Sequence, residues 1–307
     1  MKNSEYRSPL PVNFQVDEYQ IFRCIGADAS ALYYKVHHRK NSAEAILKEI
    51  YPYTLAQKKC VFRSLLTNQV EGDQSLSTRY EKLAEESTLM AFLSSPLPVS
   101  PRLVYQNHIP YGLYPSKGAY LLRQRMKQST QQGAWDGIDT LKEVLQMVKG
   151  ILMGLSTIHD AGYLVGDIAP DNLLVQMGVN GIPTVQCLNY VSGFLLENKR
   201  SQTFDYRPGY APPEFYVPDQ MHRVDYHSDL FSVGAVLFEM LFATQYKLGV
   251  HKKILLKNEP MPSYYFQGQA PQVAMATWEL LQKALAARIG CWRTFVREVD
   301  AIIAMEP

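Results

Sequence analysis

The chain has 307 residues, 47% hydrophobic and 20% charged, which is enough to bury a sizeable core as one large domain or two smaller ones. Lys and Arg number 31 against 29 Asp and Glu, a net charge of +2. That balance supplies no field of one sign to gather phosphates, so neither nucleic acid nor an anionic membrane surface is expected as a partner.

The opening MKNSEYRSPLPVNF lacks an apolar segment of the kind a signal peptide needs. The longest apolar stretch, Phe231 to Phe242, is broken by Ser232 and Glu239, which argues against a membrane span. Cys24, Cys60, Cys187 and Cys291 lie far apart with no C-x-x-C pair and read as reduced thiols, and the histidines show no ligand spacing. A cytoplasmic protein is the expectation.

Taken in order, residues 1–18 form an N-terminal extension. Tyr19–Cys24, Ala31–His37 and Ala43–Ile50 are short runs rich in aromatic and branched residues and predict strands. From Ser77 to Ser95, Leu83, Leu89, Met90 and Leu93 recur at helical spacing among charged residues, and Pro96 and Pro98 end the pattern. Strand-like runs return at Arg102–Gln106 and Ala119–Arg125. The polar stretch 127–137 reads as a hinge or linker. Beyond it the spacing predicts helices over Leu141–His159, Asp225–Ala243, Trp278–Ala287 and Thr294–Ile303, the second of them buried on most faces. A β-rich half, 19–126, is thus followed by a larger helical half, 138–307.

The segment with the most chemistry is Gly162-Tyr-Leu-Val-Gly-Asp167-Ile-Ala-Pro-Asp-Asn172-Leu-Leu-Val175, where a helix ends, an Asp follows in a loop, and an Asn stands just before an apolar strand. In phosphoryl transfer such an Asp accepts the hydrogen bond of the attacking hydroxyl, and the Asn amide oxygen binds Mg²⁺. An Asp and an Asn in an ordinary turn would explain these two residues alone, but not their neighbours. Ala45-Ile-Leu-Lys48 lies on a strand, and Glu86 on the helix that follows. Glu85 is the other candidate there; Glu86 is preferred because it places Leu93 on the inward face. Arg207-Pro-Gly-Tyr-Ala-Pro-Pro-Glu214 and His227-Ser-Asp229-Leu-Phe-Ser-Val-Gly complete an ordered set.

Together these motifs resemble the protein kinase superfamily, in a form similar to the bacterial Ser/Thr kinases, over about Tyr19 to Ile303. The resemblance implies an α+β, two-lobed fold with a small β-rich N-lobe and a larger helical C-lobe. It implies that Gly26, Ala45, Lys48, Glu86 and Leu174 surround a nucleotide, with Lys48 held against the phosphates by Glu86. Asp167 takes the place of the catalytic base, and Asn172 and Asn189 the metal positions. Glu214 is implied to pair with Arg288, and Asp229 to hold the loop before Asp167. Lys48-Glu-Ile-Tyr-Pro52 is similar to a bacterial branch of the family.

Several positions depart from the family. The glycine-rich loop reads Gly26-Ala-Asp-Ala-Ser-Ala31, with one glycine of three kept and Asp28 where phosphates would lie. Tyr33 stands where a valine usually covers adenine. Asn189-Tyr-Val191 replaces the metal-binding D-F-G, which weakens Mg²⁺ binding because hard cations favour carboxylates. Ala169 removes a phosphate-contacting lysine, and Gly166 removes the arginine that reads activation-loop phosphorylation, despite Ser201, Thr203 and Tyr206 nearby.

Three readings follow. The first is a pseudokinase acting as a regulatory or scaffold protein through a partner protein, with weak or no metal-dependent ATP binding. The second is an active atypical Ser/Thr kinase with Asp167 as base and Asn172 and Asn189 for Mg²⁺, and the third a small-molecule phosphotransferase on the same fold. ATP and Mg²⁺ are the only cofactors the resemblance implies.

Overall fold

The computed structural model describes residues 6–92, 102–115, 118–131, 140–178, 181–188, 194–195, 207–217, 223–247, 251, 261, 266, 268–287 and 289–305. They fall into two compact units, 1–121 and 122–307.

The first unit is built on an antiparallel sheet. Its strands are β1 (Gln15–Val16), β2 (Tyr19–Ala27), β3 (Ala31–His38), β4 (Glu44–Ile50), and, further on, β7 (Arg102–Gln106) and β8 (Ile109–Pro115), in the spatial order β1-β2-β3-β4-β8-β7. Side chains alternate between faces along a strand. In β3 and β4, Tyr34 and Leu47 are register partners on the core face, and Tyr33 and Lys48 are partners on the other. The core gathers Leu32, Tyr34, Val36, Leu47, Tyr111 and Leu113, with Leu76 and Leu83 from helix α2 (Ser75–Phe92).

Between β4 and α2 the chain makes a one-and-a-half-turn helix α1 (Tyr53–Gln57) and a hairpin of β5 (Val61–Arg63) and β6 (Val70–Gly72), none of which the apolar periodicity announces. The hairpin is tied down by Arg63, which donates to both oxygens of buried Glu49 at 2.9 and 2.6 Å and to the Ser8 carbonyl at 2.7 Å. Tyr34 donates to Glu49 as well, at 2.6 Å. At the tip, Leu65 and Leu66 are 97% and 96% exposed.

The strand expected at Ala119–Arg125 is shorter than that: β9 covers Tyr120–Leu121, and helix α3 runs from Leu122 to Gln131. The reason is local. Leu122-Arg-Gln-Arg-Met-Lys127 is a run of strong helix formers, and buried Leu122 and Met126 stand one turn apart. The polar stretch read as a linker therefore begins helical.

In the second unit, α4 (Leu141–Asp160) starts at Thr140, whose side chain caps the Glu143 N–H. It lies along the hairpin of β11 (Leu173–Met177) and β12 (Pro183–Cys187), while β10 (Tyr163–Leu164) pairs with β13 (Phe194–Leu195). The approach of α4 to β12 depends on glycine, because a Cβ at Gly154 would stand 2.2 Å from the Val185 carbonyl oxygen. Helix α5 (Tyr226–Phe242) carries an Asp225–Ser228 capping box and is buried on nearly every face. Helix α6 (Pro271–Leu285) begins well before the periodicity suggests, at a proline in the first helical position, and α7 (Trp292–Ile303) closes the unit. Among the described residues, no helix is long and apolar enough to cross a membrane.

Candidate functional site

In the first unit the register of three strand pairs places Gly26, Tyr33, Lys48 and Gly112 in one row across the sheet. Lys48 is fully buried and its Nζ lies 2.9 Å from Glu86 Oε2. Tyr114 donates to the other oxygen of Glu86 at 3.0 Å, so both carboxylate oxygens are occupied. Glu85, one residue before, is exposed. Ala45 is buried in β4 opposite Val36.

The turn between β2 and β3 is organised by Asp28. Its Oδ1 accepts the backbone N–H groups of Ser30 and Ala31, each at 2.7 Å, and its Oδ2 accepts the Tyr33 hydroxyl at 2.5 Å. Asp28, Ser30 and Tyr33 are all buried. The carboxylate expected to project a charge toward phosphates is instead folded back onto its own turn, and Tyr33 is its clamp.

In the second unit, α5 holds the loop around Asp167. Asp229 accepts the backbone N–H groups of Val165 and Gly166, both at 2.9 Å, and contacts His159 Nε2 at 2.8 Å. Gly166 has φ +76°, a conformation that strains any residue with a Cβ, so the missing arginine coincides with a backbone position where glycine is relaxed. Asn172 ties the loop together from inside. Its Oδ1 accepts the Ala169 N–H at 3.0 Å, and its Nδ2 donates to the Asp167 carbonyl. Leu174 is buried in β11 opposite Gln186. Glu214 accepts a hydrogen bond from Ser228 Oγ at 2.7 Å, joining the segment after Arg207 to the start of α5. Asn189 and Arg288, the second metal position and the partner assigned to Glu214, lie outside the described residues.

Sequence reasoning missed the arginines. Arg207 sets Nε 2.9 Å from Asp167 Oδ1 and a terminal nitrogen 3.2 Å from Asp167 Oδ2, and reaches Asp171 at 3.3 Å. Arg123 completes the cluster, 3.2 Å from Asp171 and 2.6 Å from Glu239, and it donates to the Tyr210 hydroxyl at 2.5 Å. Tyr210 donates in turn to Glu239. Burial alone would lower the Arg123 pKa, but Asp171, Tyr210 and Glu239 together raise it well above the ordinary arginine value. Burial raises the Tyr210 pKa, and Glu239 adds to it. A signal was present in the sequence: with Ala169 at the lysine position, Asp167 and Asp171 have no cation inside their own loop, and a cation from elsewhere is needed to offset one buried and one partly buried carboxylate.

The donor set can be tested against a divalent cation. Asn172 offers a neutral amide oxygen that already accepts an N–H, and the Asp167 carboxylate is paired with a guanidinium. Hard dications need several oxygens, preferably carboxylates. Among the described residues no cluster of three acidic, His or Cys side chains is placed to hold a metal. As they stand these groups do not fit Mg²⁺.

The family model described as "Protein kinase domain" matches residues 19–279. The chain belongs to that family. Over 129 residues it is 26% identical to the serine/threonine-protein kinase pkn3 of Myxococcus xanthus, covering 39% of this chain and 24% of that protein. Over 147 residues it is 33% identical to human serine/threonine-protein kinase 16, covering 40% and 45%. The chain thus matches less than half the length of these curated relatives. Among solved structures, the apo form of PpkA-294 superposes with a TM-score of 0.67 at 18% identity, over 95% of this chain and 99% of that one. The kinase domain of Mycobacterium tuberculosis PknI, solved as a double mutant, superposes at 0.60 with 18% identity, over 96% and 99%. These likenesses establish the protein-kinase fold, with its β-rich first part and helical second part.

Proposed function

We propose that this chain is a pseudokinase: a protein-kinase fold that works as a regulatory or scaffold protein through a partner protein, with weak or no metal-dependent ATP binding. The observation that carries the reading is the pairing of Asp167 with Arg207. A general base must present a free carboxylate oxygen to the substrate hydroxyl. Here Asp167 Oδ2 accepts a hydrogen bond from Arg207 at 3.2 Å, and Oδ1 is buried 2.9 Å from the Arg207 Nε in an ionic contact that is not a hydrogen bond. Asn172 is likewise committed to the loop backbone, and the loop between β2 and β3 has lost two glycines. The Lys48–Glu86 pair has a structural use in this reading, as a tie between α2 and β4.

One observation favours a second reading, that of an active atypical Ser/Thr kinase. Lys48 with Glu86, and Asp167 with Asn172, are all present and in hydrogen-bonding range of each other pairwise. In that case Asp167 is the base, and Arg207 supplies the charge that Ala169 lacks. The deciding experiment is thermal denaturation with ATP, alone and with Mg²⁺ or Mn²⁺, beside a radiolabel transfer assay. The pseudokinase reading expects no metal-dependent rise in the midpoint and no transfer, because only a ligand that binds the folded state shifts it. A metal-dependent rise with transfer that Asp167→Asn abolishes would establish the atypical kinase. Asn189→Asp is the companion variant: activity gained by that change alone would trace inactivity to the missing metal carboxylate.

A further inference from the structure

The turn from Ala27 to Ala31 is where a kinase loop offers backbone N–H groups to nucleotide phosphates. In this chain two of those groups are already bonded to an anion. Asp28 Oδ1 accepts from Ser30 N and Ala31 N at 2.7 Å each, a geometry that a phosphate oxygen would otherwise use. The Asp28 N–H is also turned inward, onto the Ala31 carbonyl at 3.0 Å.

Three observations show that the carboxylate is built in and does not simply lie over the turn. Asp28 is 5% exposed and Ser30 2% exposed, so solvent does not compete for these bonds. Tyr33, fully buried, holds the second oxygen at 2.5 Å. Tyr33 is also the register partner of Lys48, so the clamp and the lysine project from the same face of the sheet. The lysine charge on that face is already offset by Glu86 at 2.9 Å.

We propose that Asp28 is an internal substitute for a phosphate and sets the ligand specificity of this site: it admits an uncharged nucleoside and rejects nucleotides in order of their phosphate charge. The proposal rests on the pseudokinase reading only in taking the site as one for binding and not for transfer. A phosphate entering the turn would have to displace Asp28 from both N–H groups and then sit beside a carboxylate. Like charges placed together discriminate strongly against the wrong ligand. The loop therefore inverts the preference of a phosphate-cradling loop, in which affinity rises from nucleoside to triphosphate.

The test is calorimetric titration of the full chain with adenosine, AMP, ADP and ATP, without divalent metal. Wild type is expected to bind adenosine at least as tightly as ATP. Asp28→Ala is expected to tighten ATP at least about tenfold while adenosine changes by less than about threefold. Asp28→Asn keeps an acceptor for the two N–H groups and removes the charge, so it serves if the alanine variant fails to fold, and it is expected to move in the same direction. Tyr33→Phe should give a smaller gain for ATP. Equal ATP affinity in wild type and both Asp28 variants, or absence of any binding in all of them, would overturn the proposal. Phosphoryl transfer by wild type would sink the pseudokinase reading instead, and the metal-free titrations would still decide the role of Asp28.

Discussion

Arg207 and Asp167, forty residues apart in the sequence, form a two-pronged ion pair in which the carboxylate side chain is 2% exposed and the guanidinium 12%. Removing one member of such a pair takes the opposite charge away from a group that stays buried. Arg207→Ala should therefore lower the free energy of unfolding by about 3 kcal/mol. Arg207→Lys should recover less than half of it, because an ammonium cannot match the two-oxygen geometry. Urea denaturation of the three proteins measures both. A change near zero for Arg207→Ala would mean that solvent replaces the guanidinium at no cost and that Asp167 is available after all.

The Lys48–Glu86 pair is buried more deeply still, at 0% and 1% side-chain exposure. Glu86→Ala is expected to destabilise the chain by about 3–5 kcal/mol, because the buried Lys48 ammonium loses its carboxylate and the Tyr114 hydroxyl loses an acceptor. Replacing both charges at once, Lys48→Met with Glu86→Leu, should restore most of that loss. Thermal or urea unfolding of Lys48→Met, Glu86→Leu and the double variant gives the coupling energy directly.

Alkaline stability follows from the tyrosines. Burial raises the pKa of Tyr34, Tyr111 and Tyr210 well above the ordinary tyrosine value, and that of Tyr80 to about 12. The unfolded chain releases these protons near pH 10 and the folded chain keeps them, so the folded state binds more protons above about that pH and stability falls as pH rises. Their contribution is complete below about pH 10, and each group costs up to about 1.4 kcal/mol per pH unit above it. The Tyr111 hydroxyl has no hydrogen-bond partner among the described residues. Tyr111→Phe should thus be neutral or slightly stabilising at about pH 7 and should flatten the loss between about pH 10 and 12, as unfolding measured across that range will show.

Gly154→Ala tests how the Asn172 loop is positioned. The added methyl meets the Val185 carbonyl, which is backbone and cannot swing aside. The expected cost is about 1–3 kcal/mol, with faster hydrogen exchange concentrated in Pro183–Cys187 and Leu173–Met177. An unchanged exchange pattern there would show that α4 and the hairpin slide past one another freely.

Much of the fold is legible in the sequence because its signals are local. The buried run of α5 reads from residue spacing, β3 and β4 from their aromatic and branched residues, and the motifs around Asp167, Glu214 and Asp229 from their order and their resemblance to the family. The choice of Glu86 over Glu85 follows from which helical face carries the leucines. Features decided by side chains far apart in sequence are not legible. Arg207 belongs to the loop of Asp167 because the chain returns there; the loop's own sequence shows that a cation is wanted but not which residue supplies it. Asp28 is legible as a charge but not as a charge turned inward, since that depends on the Tyr33 hydroxyl across the turn. The α1 and β5–β6 insertion escapes because its order comes from Arg63 and Glu49 and not from any apolar period. At Leu122–Arg125, apolar content points to strand where helix propensity governs.

That insertion has a practical consequence. Its hairpin is anchored at the base by the Arg63–Glu49 bridge, yet its tip holds two leucines with almost their whole side-chain surface in water. A side chain as exposed when folded as when unfolded adds nothing to folding free energy, so Leu65→Ser with Leu66→Ser leaves the melting point where it was. The free energy such a change does alter is that of the folded molecule against its own aggregates, because about 0.8 kcal/mol per buried methylene becomes available whenever two tips meet. At this tip, association between molecules and folding draw on different free energies, so Leu65 and Leu66 can be changed for the first without touching the second.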